Sequence, residues 1–470
     1  MMPRSSENRH VGETTGALRG LVPVRAGAGG PTLPEWFAGV YRAGICRLRF
    51  GVQAAPDVGG TIGSAGLLAG LPGCWGVRPG VAAGAGAWDS EGVGDGVVTL
   101  FVCGDVMPGR GVDQILPHPG DPELREAHVR DARVYVDLAE EAHGPIPRPV
   151  SFGWPWGDAL GVLDEIAPDV RVINLETSIT ASRGFAPGKA ICYRMSPDNL
   201  PCVAAARPDV CAVANNHVLD FGRRGLADTL HALADTGLRA AGAGPDRDAA
   251  RRPTIIPVRG GGRAVVLACG TGCSGIPAGW AAAPGRPGVN LLPDLSSATA
   301  GDLIGQVQAA RRPGDVAVVS IHWGSNWGYD VGADQVRFAR ALIDGGVDLV
   351  HGHSSHHPRP IEVFRGKLIL YGCGDCIDDY EGITGHRAYR GDLRLLYFAS
   401  LEAGTGQLAA LRMAPMRARK MRLHQAPAAD RQWLRTVLDR ISRGFGSRVD
   451  LQPDGMLALR PTRAATPAGR

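Results

Sequence analysis

From Val97 onward the chain alternates short, continuous apolar runs with amphipathic segments of helix length, and this alternation limits the fold more than any other feature. The runs VVTLFVC, VRVINLE, DVCAVA, RAVVLACG, DVAVVSIHW, VDLVHG and KLILYG are too short for helices and carry no polar alternation, so each reads as a strand buried on both faces. Between them, GDALGVLDEIA, RRGLADTLHALADTG, DLIGQVQAARRPG and ADQVRFARALIDGG space their apolar residues at helical intervals. The last places Val336, Ala339, Leu342 and Ile343 on one stripe and stops at Gly345–Gly346, a helix C-terminal signal. Strands and helices in alternation predict an α/β layered architecture. Beyond about residue 393 the sequence predicts two further strands and a closing helix, with the basic run Arg417 to Arg422 on an exposed strand face.

In α/β sheets, ligands gather beyond the carboxyl ends of the strands, so the residues that follow each run carry the functional information. Strand VVTLFVC ends in Gly104–Asp105, VRVIN in Asn174–Leu175–Glu176, and DVCAVA in Asn215–Asn216–His217 with Asp220 close behind. VAVVSI ends in His322–Trp323–Gly324, and VDLV in His351–Gly352–His353–Ser354–Ser355–His356–His357. Each has an ordinary reading alone: Asp105 as a helix cap, Glu176 as a surface acid, His322 as a hydrogen-bonded core residue. Recurrence at five strand ends points instead to one shared site. Its donors are oxygen and nitrogen without thiolate, a set that suits manganese, iron, zinc or magnesium. Two such ions, about 3.5–4 Å apart, need a bridging ligand and serve hydrolysis.

Composition narrows the alternatives. Lys+Arg 50 against Asp+Glu 46 gives a net charge of +4, without the basic excess of a protein that binds nucleic acid through phosphates. No run approaches the roughly 20 apolar residues of a membrane span, and the first 30 residues hold no apolar signal-peptide core, so the chain as written reads as cytoplasmic. No P-loop or GxGxxG fingerprint supports a nucleotide-binding regulator. Residues 1–96 hold 22 of the 67 glycines and read as a Gly/Ala-rich, disordered extension or as the product of a start codon placed upstream of the true one. Cys373 and Cys376 form a lone CxxC in YGCGDC; the other cysteines of the apolar runs read as small hydrophobes.

The stretches GDVMPGR (104–110), INLETSIT (173–180), YRMSPDNL (193–200), VANNHVLDFGRRGLADTL (213–230), AAGAG (240–244), IHWGSNWGYD (321–330) and GHSSHHPRPIEVFRGKLILYGCGD (352–375) resemble the CapA/PgsA-type proteins of bacterial poly-γ-glutamate capsule synthesis. Those proteins share the calcineurin-like metallophosphoesterase fold, and order and spacing agree over roughly residues 97–400. The resemblance implies a four-layer α/β/β/α sandwich over 97–400, with 401–460 packing on it and 461–470 as a flexible tail. It also implies two divalent metal ions. Asp105 then matches the first-strand metal ligand, Glu176 the bridging acid, Asn216 a ligand of the second metal, His322 the lone histidine ligand, and His353 with His356 the closing element. His217 matches the general acid beside the leaving group, with Asp220 orienting it. Met107 stands where the wider superfamily has histidine, and two residues separate His353 from His356 where the wider pattern has one. Around this set, Arg110, Asn174, Arg194 and Trp323 are candidates for contacting an anionic substrate, with a surface ion pair as the other reading of Arg110 and aromatic packing as that of Trp323.

The function so implied is a metal-dependent hydrolase, acting on a phosphoester or an amide in the synthesis or processing of an anionic cell-surface polymer such as poly-γ-glutamate. The alternative is a non-catalytic assembly subunit that works with capsule synthase subunits. Deleting residues 1–96, so that the chain begins at Val97, should leave the thermal unfolding transition in place; a large fall in Tm would show that the extension packs on the fold.

Overall fold

The computed structural model describes residues 96–461 apart from 260 and 384. The expected extension, but for Gly96, and the tail beyond residue 461 lie outside the described residues. All seven apolar runs form strands, in two sheets. The first sheet has ten strands. At its centre Val97–Val106 runs parallel to Val170–Leu175, which continues in parallel through Val210–Ala212 to Arg239–Ala241. On its other side Val97–Val106 pairs antiparallel with Leu393–Glu402, followed by Leu408–Ala418 and the terminal hairpin Ser447–Leu451/Leu457–Pro461. The second sheet, of seven strands, runs Leu291–Leu292, Arg263–Thr271, Val316–His322, Leu349–His353, Lys367–Leu370 in parallel and ends in the antiparallel Ile361–Phe364.

Period-two alternation assigns the layers. Leu100, Val102 and Val172 of the first sheet meet Val266, Val318 and Leu349 of the second in one buried core. Their neighbours Phe101, Cys103 and Ile173 point the other way, against Val136, Leu163 and Leu226 on the helices Arg133–His143, Ala159–Ile166 and Gly222–Asp235. On the far side Leu267, Val319 and Val350 pack under Leu303 of Ser297–Ala310 and Phe338 of Ala333–Asp344. The result is the four-layer α/β/β/α order expected from the resemblance. The closing helix, Ala428–Ser442, adds Leu434 and Leu438 to the core between the sheets. Helix Arg133–His143 and the terminal hairpin carried no signal strong enough to be anticipated. The basic run is absorbed locally: Arg417 lies against Asp392 and Asp430, and Arg422 covers the ring of Trp154 at 5.0 Å.

The two sheets are joined where the site lies. After Leu370 the chain leaves the second sheet and enters the first at Asp375–Ile377, which pairs parallel to Val97–Val106 with Asp105 opposite Asp375. Asp105 N–H donates to the Gly374 carbonyl at 3.0 Å. This approach requires glycine at 104, because a Cβ there would stand 1.5 Å from the same carbonyl oxygen. The CxxC thiols diverge at this crossing: Cys373 enters the core between the sheets and Cys376 the outer core, and both are free thiols. Gly104→Ala should therefore cost about 3 kcal/mol in urea unfolding, since the clash is with backbone that cannot rotate away. Gly161→Ala, whose Cβ would meet nothing within 4 Å on an exposed helix face, should leave stability equal or raised.

Candidate metal centre

Asp105, at the end of the first strand, is wholly buried. Its Oδ1 accepts from Asn174 Nδ2 at 2.8 Å and lies 3.4 Å from the Ser354 amide. Its Oδ2 is buried with no hydrogen-bond partner among the described residues. Two triads of possible ligand atoms share this carboxylate, each with its atoms within 4.8 Å of one another: Asp105, His322 and His353 on one side, and Asp105, His356 and Asp375 on the other. The two-residue gap in the closing element now has a structural meaning. His353 is the last residue of its strand and faces His322, Nδ1 to Nδ1 at 2.9 Å, whereas His356 lies beyond the turn at Ser354 and meets Asp375 Oδ1 at 2.9 Å.

Glu176 borders both groups. Asn174 Nδ2 donates to its Oε2 at 2.9 Å, and its Oε1 is 3.8 Å from both His217 Nε2 and His322 Nε2. Asn216 turns its Oδ1 to His322 Nε2 at 3.0 Å. Asn215 holds the loop: it donates to Asn174 Oδ1 and the Leu175 carbonyl and accepts from the amides of His217 and Val218. His217 Nδ1 is 2.6 Å from Asp220 Oδ2, and its ring stands edge-on to Tyr193 at 4.6 Å. Beneath them Ser320 Oγ lies between His351 Nδ1 and His353 Nε2, and His351 Nε2 reaches across the sheets to the Cys103 carbonyl at 2.8 Å.

Burial and crowding set the proton affinities. Burial, then the neighbouring Asp375, pushes Asp105 up to about 7, and burial with Asp105 raises Glu176 well above the ordinary carboxylate range. Burial opposes ionisation of Asp375 as well, yet His356 beside it holds that carboxyl below its usual value. Burial keeps His322 and His353 well below the ordinary imidazole range and therefore neutral, the form that ligates metal. Burial likewise pushes His217 down to about 4 against the pull of Asp220. Crowded carboxylates, neutral imidazoles and an orphaned carboxylate oxygen fit a divalent cation, which would supply the positive charge this buried donor set lacks.

Asp375 was missing from the residues anticipated from sequence, although Gly374–Asp375 after the run KLILYG repeats the signal that marked Gly104–Asp105. Of the four anticipated substrate contacts, only Asn174 lies in the cluster. Trp323 points away from it into the outer core, with its indole N–H on the Tyr371 carbonyl. Arg194 donates to the carbonyls of Ser182 and Asp121 and packs over Phe221 at 4.8 Å. Arg110 is neither at the surface nor open to an anion from solvent. Its guanidinium is wholly buried, bonds Asp379 through Nε and Nη2 and Glu126 through Nη1, and lies 3.7 Å from the Tyr135 ring centre. The same carboxylate accepts the Gly111 amide, and Tyr380, the next residue, stands edge-on to His356 at 5.3 Å. Arg110 thus anchors the segment that carries Asp375 and supports His356. Arg110→Met should destabilise the fold by about 3–5 kcal/mol in urea unfolding, because it leaves Asp379 and Glu126 buried without their cation.

No helix among the described residues is long and apolar enough to cross a membrane. The family model described as bacterial capsule synthesis protein PGA_cap matches residues 99–380. A Mycobacterium tuberculosis protein named "Probable polyglutamine synthesis accessory protein" is 55% identical over 371 residues, 79% of this chain and 98% of its own. The "PGA biosynthesis protein CapA" of Bacillus subtilis is 28% identical over 316 residues, 67% of this chain and 70% of its own. The "Capsule biosynthesis protein CapA" of Bacillus anthracis is 28% identical over 287 residues, 60% of each chain. With its matched segment enclosing every strand end of the cluster, this chain belongs to the bacterial capsule synthesis protein PGA_cap family.

Proposed function

We propose that this chain is a metal-dependent hydrolase that acts on an anionic polymer in poly-glutamate capsule synthesis or processing. One observation carries the reading: two triads of buried ligand atoms share Asp105, whose Oδ2 has no partner among the described residues. Asp105, His322 and His353, with Asn216 alongside, would hold one divalent ion; Asp105, His356 and Asp375 would hold the other. Asp105 is then the shared ligand, and Glu176 sits on the side of His217 and His322. Manganese, iron, zinc and magnesium all suit these donors. Bound there, such ions supply Lewis-acid polarisation of a phosphoryl or carbonyl oxygen and lower the pKa of water.

The protein's own groups supply proton handling. Asp220 accepts the Nδ1 proton of His217 and fixes its tautomer, so that Nε2 faces Glu176 and the open side of the cluster. An anion arriving there raises the proton affinity of Nε2, which can then protonate a leaving group. Asn215 and Tyr193 keep the ring in this orientation. The names of the relatives support capsule polymer synthesis as the setting, and the word "accessory" in one of them supports a second reading, an assembly subunit without turnover.

Metal analysis and turnover separate the two. The full chain should bind two divalent ions; His322→Ala and His356→Ala should each lose one, and Asp105→Asn should lose both. Unchanged metal content in Asp105→Asn overturns the centre. With phosphoesters and γ-glutamyl amides as substrates, chelator should abolish turnover, and His217→Asn should keep its metal but lower kcat by roughly 10²–10⁴-fold. Metal-loaded protein without turnover on either class would favour the assembly subunit.

A further inference from the structure

Strand register sets two pairs of side chains next to one another between the sheets. Ser320 lies opposite His351 and His322 opposite His353, and alternation along each strand turns all four toward the first sheet, as it does Val318 and Leu349 before them. Ser320 and His351 are the deeper pair, wholly buried. The first sheet meets them at an irregularity. Strand Val97–Val106 bulges between Val102 and Asp105, where two residues stand opposite the single Ile173, and the Cys103 carbonyl at this bulge takes His351 Nε2 at 2.8 Å.

Counting protons along this chain of contacts leaves one consistent arrangement. The Cys103 carbonyl can only accept, so His351 carries its N–H on Nε2; a neutral imidazole, the form that burial imposes, then has a bare Nδ1. Ser320 Oγ, 3.1 Å from that Nδ1 and 2.9 Å from His353 Nε2, has a single proton to give. Given to His351, it leaves the hydroxyl lone pairs to accept an N–H from His353 Nε2. Given to His353, it strands the buried His351 Nδ1 without a donor, which costs stability. His353 therefore keeps its proton on Nε2, and its bare Nδ1 faces the cluster, 2.9 Å from His322 Nδ1 and 4.0 Å from Asp105 Oδ1.

We infer that Ser320 and His351 are positioning residues of the metal centre: anchored on the Cys103 carbonyl, they fix the tautomer of His353 so that Nδ1 is the atom it offers to a divalent ion. The same chain of hydrogen bonds ties the His353 ring to the strand that carries Asp105, which holds imidazole and carboxylate in one frame. The inference rests on the metal centre of the proposed function and not on turnover.

The test has two readouts on the full chain. The first is Zn²⁺ affinity by competition with a chromophoric chelator: Ser320→Ala should hold one of the two ions about 10–100-fold more weakly than wild type, with the other unchanged. Ser320→Thr, which keeps the hydroxyl, should recover most of the loss. Ser442→Ala, which removes a buried hydroxyl bonded to the Ile361 amide outside the cluster, should bind like wild type. The second is the histidine tautomer, read from long-range proton–nitrogen NMR correlations of the metal-free protein, with the peaks lost in His353→Asn identifying the ring. Wild-type His353 should carry its proton on Nε2, and Ser320→Ala should shift it toward Nδ1. Equal Zn²⁺ affinity in Ser320→Ala, an equal loss in Ser442→Ala, or a wild-type His353 protonated on Nδ1 overturns the positioning role and leaves the metal centre standing. Wild type that takes up no Zn²⁺ defeats the metal centre and the inference with it, whereas Ser320-dependent binding in a protein that turns over no substrate defeats only the hydrolase reading.

Discussion

The site depends on one backbone contact, the hydrogen bond from the Asp105 amide to the Gly374 carbonyl. It draws two carboxylates, each directly after a glycine, into a buried space where like charges repel and water is excluded. The fold tolerates this because each acid has a fixed neighbour: Asn174 and Ser354 at Asp105, His356 at Asp375. The missing side chain at Gly104 is thus the condition for the electrostatics. Any Cβ there would push the Gly374 carbonyl away and separate the two acids.

Around this joint the functional side chains are held by rigid, mostly buried partners. Arg110, in the left-handed region at φ 54°, directs its guanidinium inward and ties Asp379 to Glu126. Tyr380 follows from that anchor and supports His356. On the other flank, Ser178 Oγ reaches the carbonyls of His217 and Val218, and Asp220 also accepts the Tyr193 amide. Strand ends carry Asp105, His322, His353 and Asp375, loops carry Glu176, Asn216, His217 and His356, and hydrogen bonds to the strand ends fix those loops, which gives the preorganisation that a site of this kind needs.

The seven apolar runs were legible because burial on both faces leaves a continuous hydrophobic signature, and the polar residues after five of them converge in the structure as their positions implied. Asp375 escaped because its run, YGCGDC, drew attention to thiols rather than to the Gly–Asp pair between them. Trp323 follows His322 directly, and neighbouring residues on a strand face opposite ways; only the structure showed which of the two faces the cluster. The setting of Arg110 was not legible at all, since Asp379 is 269 residues away in sequence and Glu126 lies in an irregular segment. Pairings of that kind come from topology and leave no local pattern.

The antiparallel partner of the Asp105 strand has a consequence for biosynthesis. Val97 pairs with Glu402 and Val102 with Tyr397, so the central strand of the first sheet keeps one open edge until the ribosome has made nearly the whole domain. A nascent chain that stops short of this partner already carries His217, His322 and His353, yet its first sheet ends in an unpaired apolar strand. Closure must wait for the most distant segment, which makes folding slow and exposes an aggregation-prone edge in the meantime. The strand ends that form the candidate site therefore reach their final sheet only after a segment that follows all of them in sequence has been made.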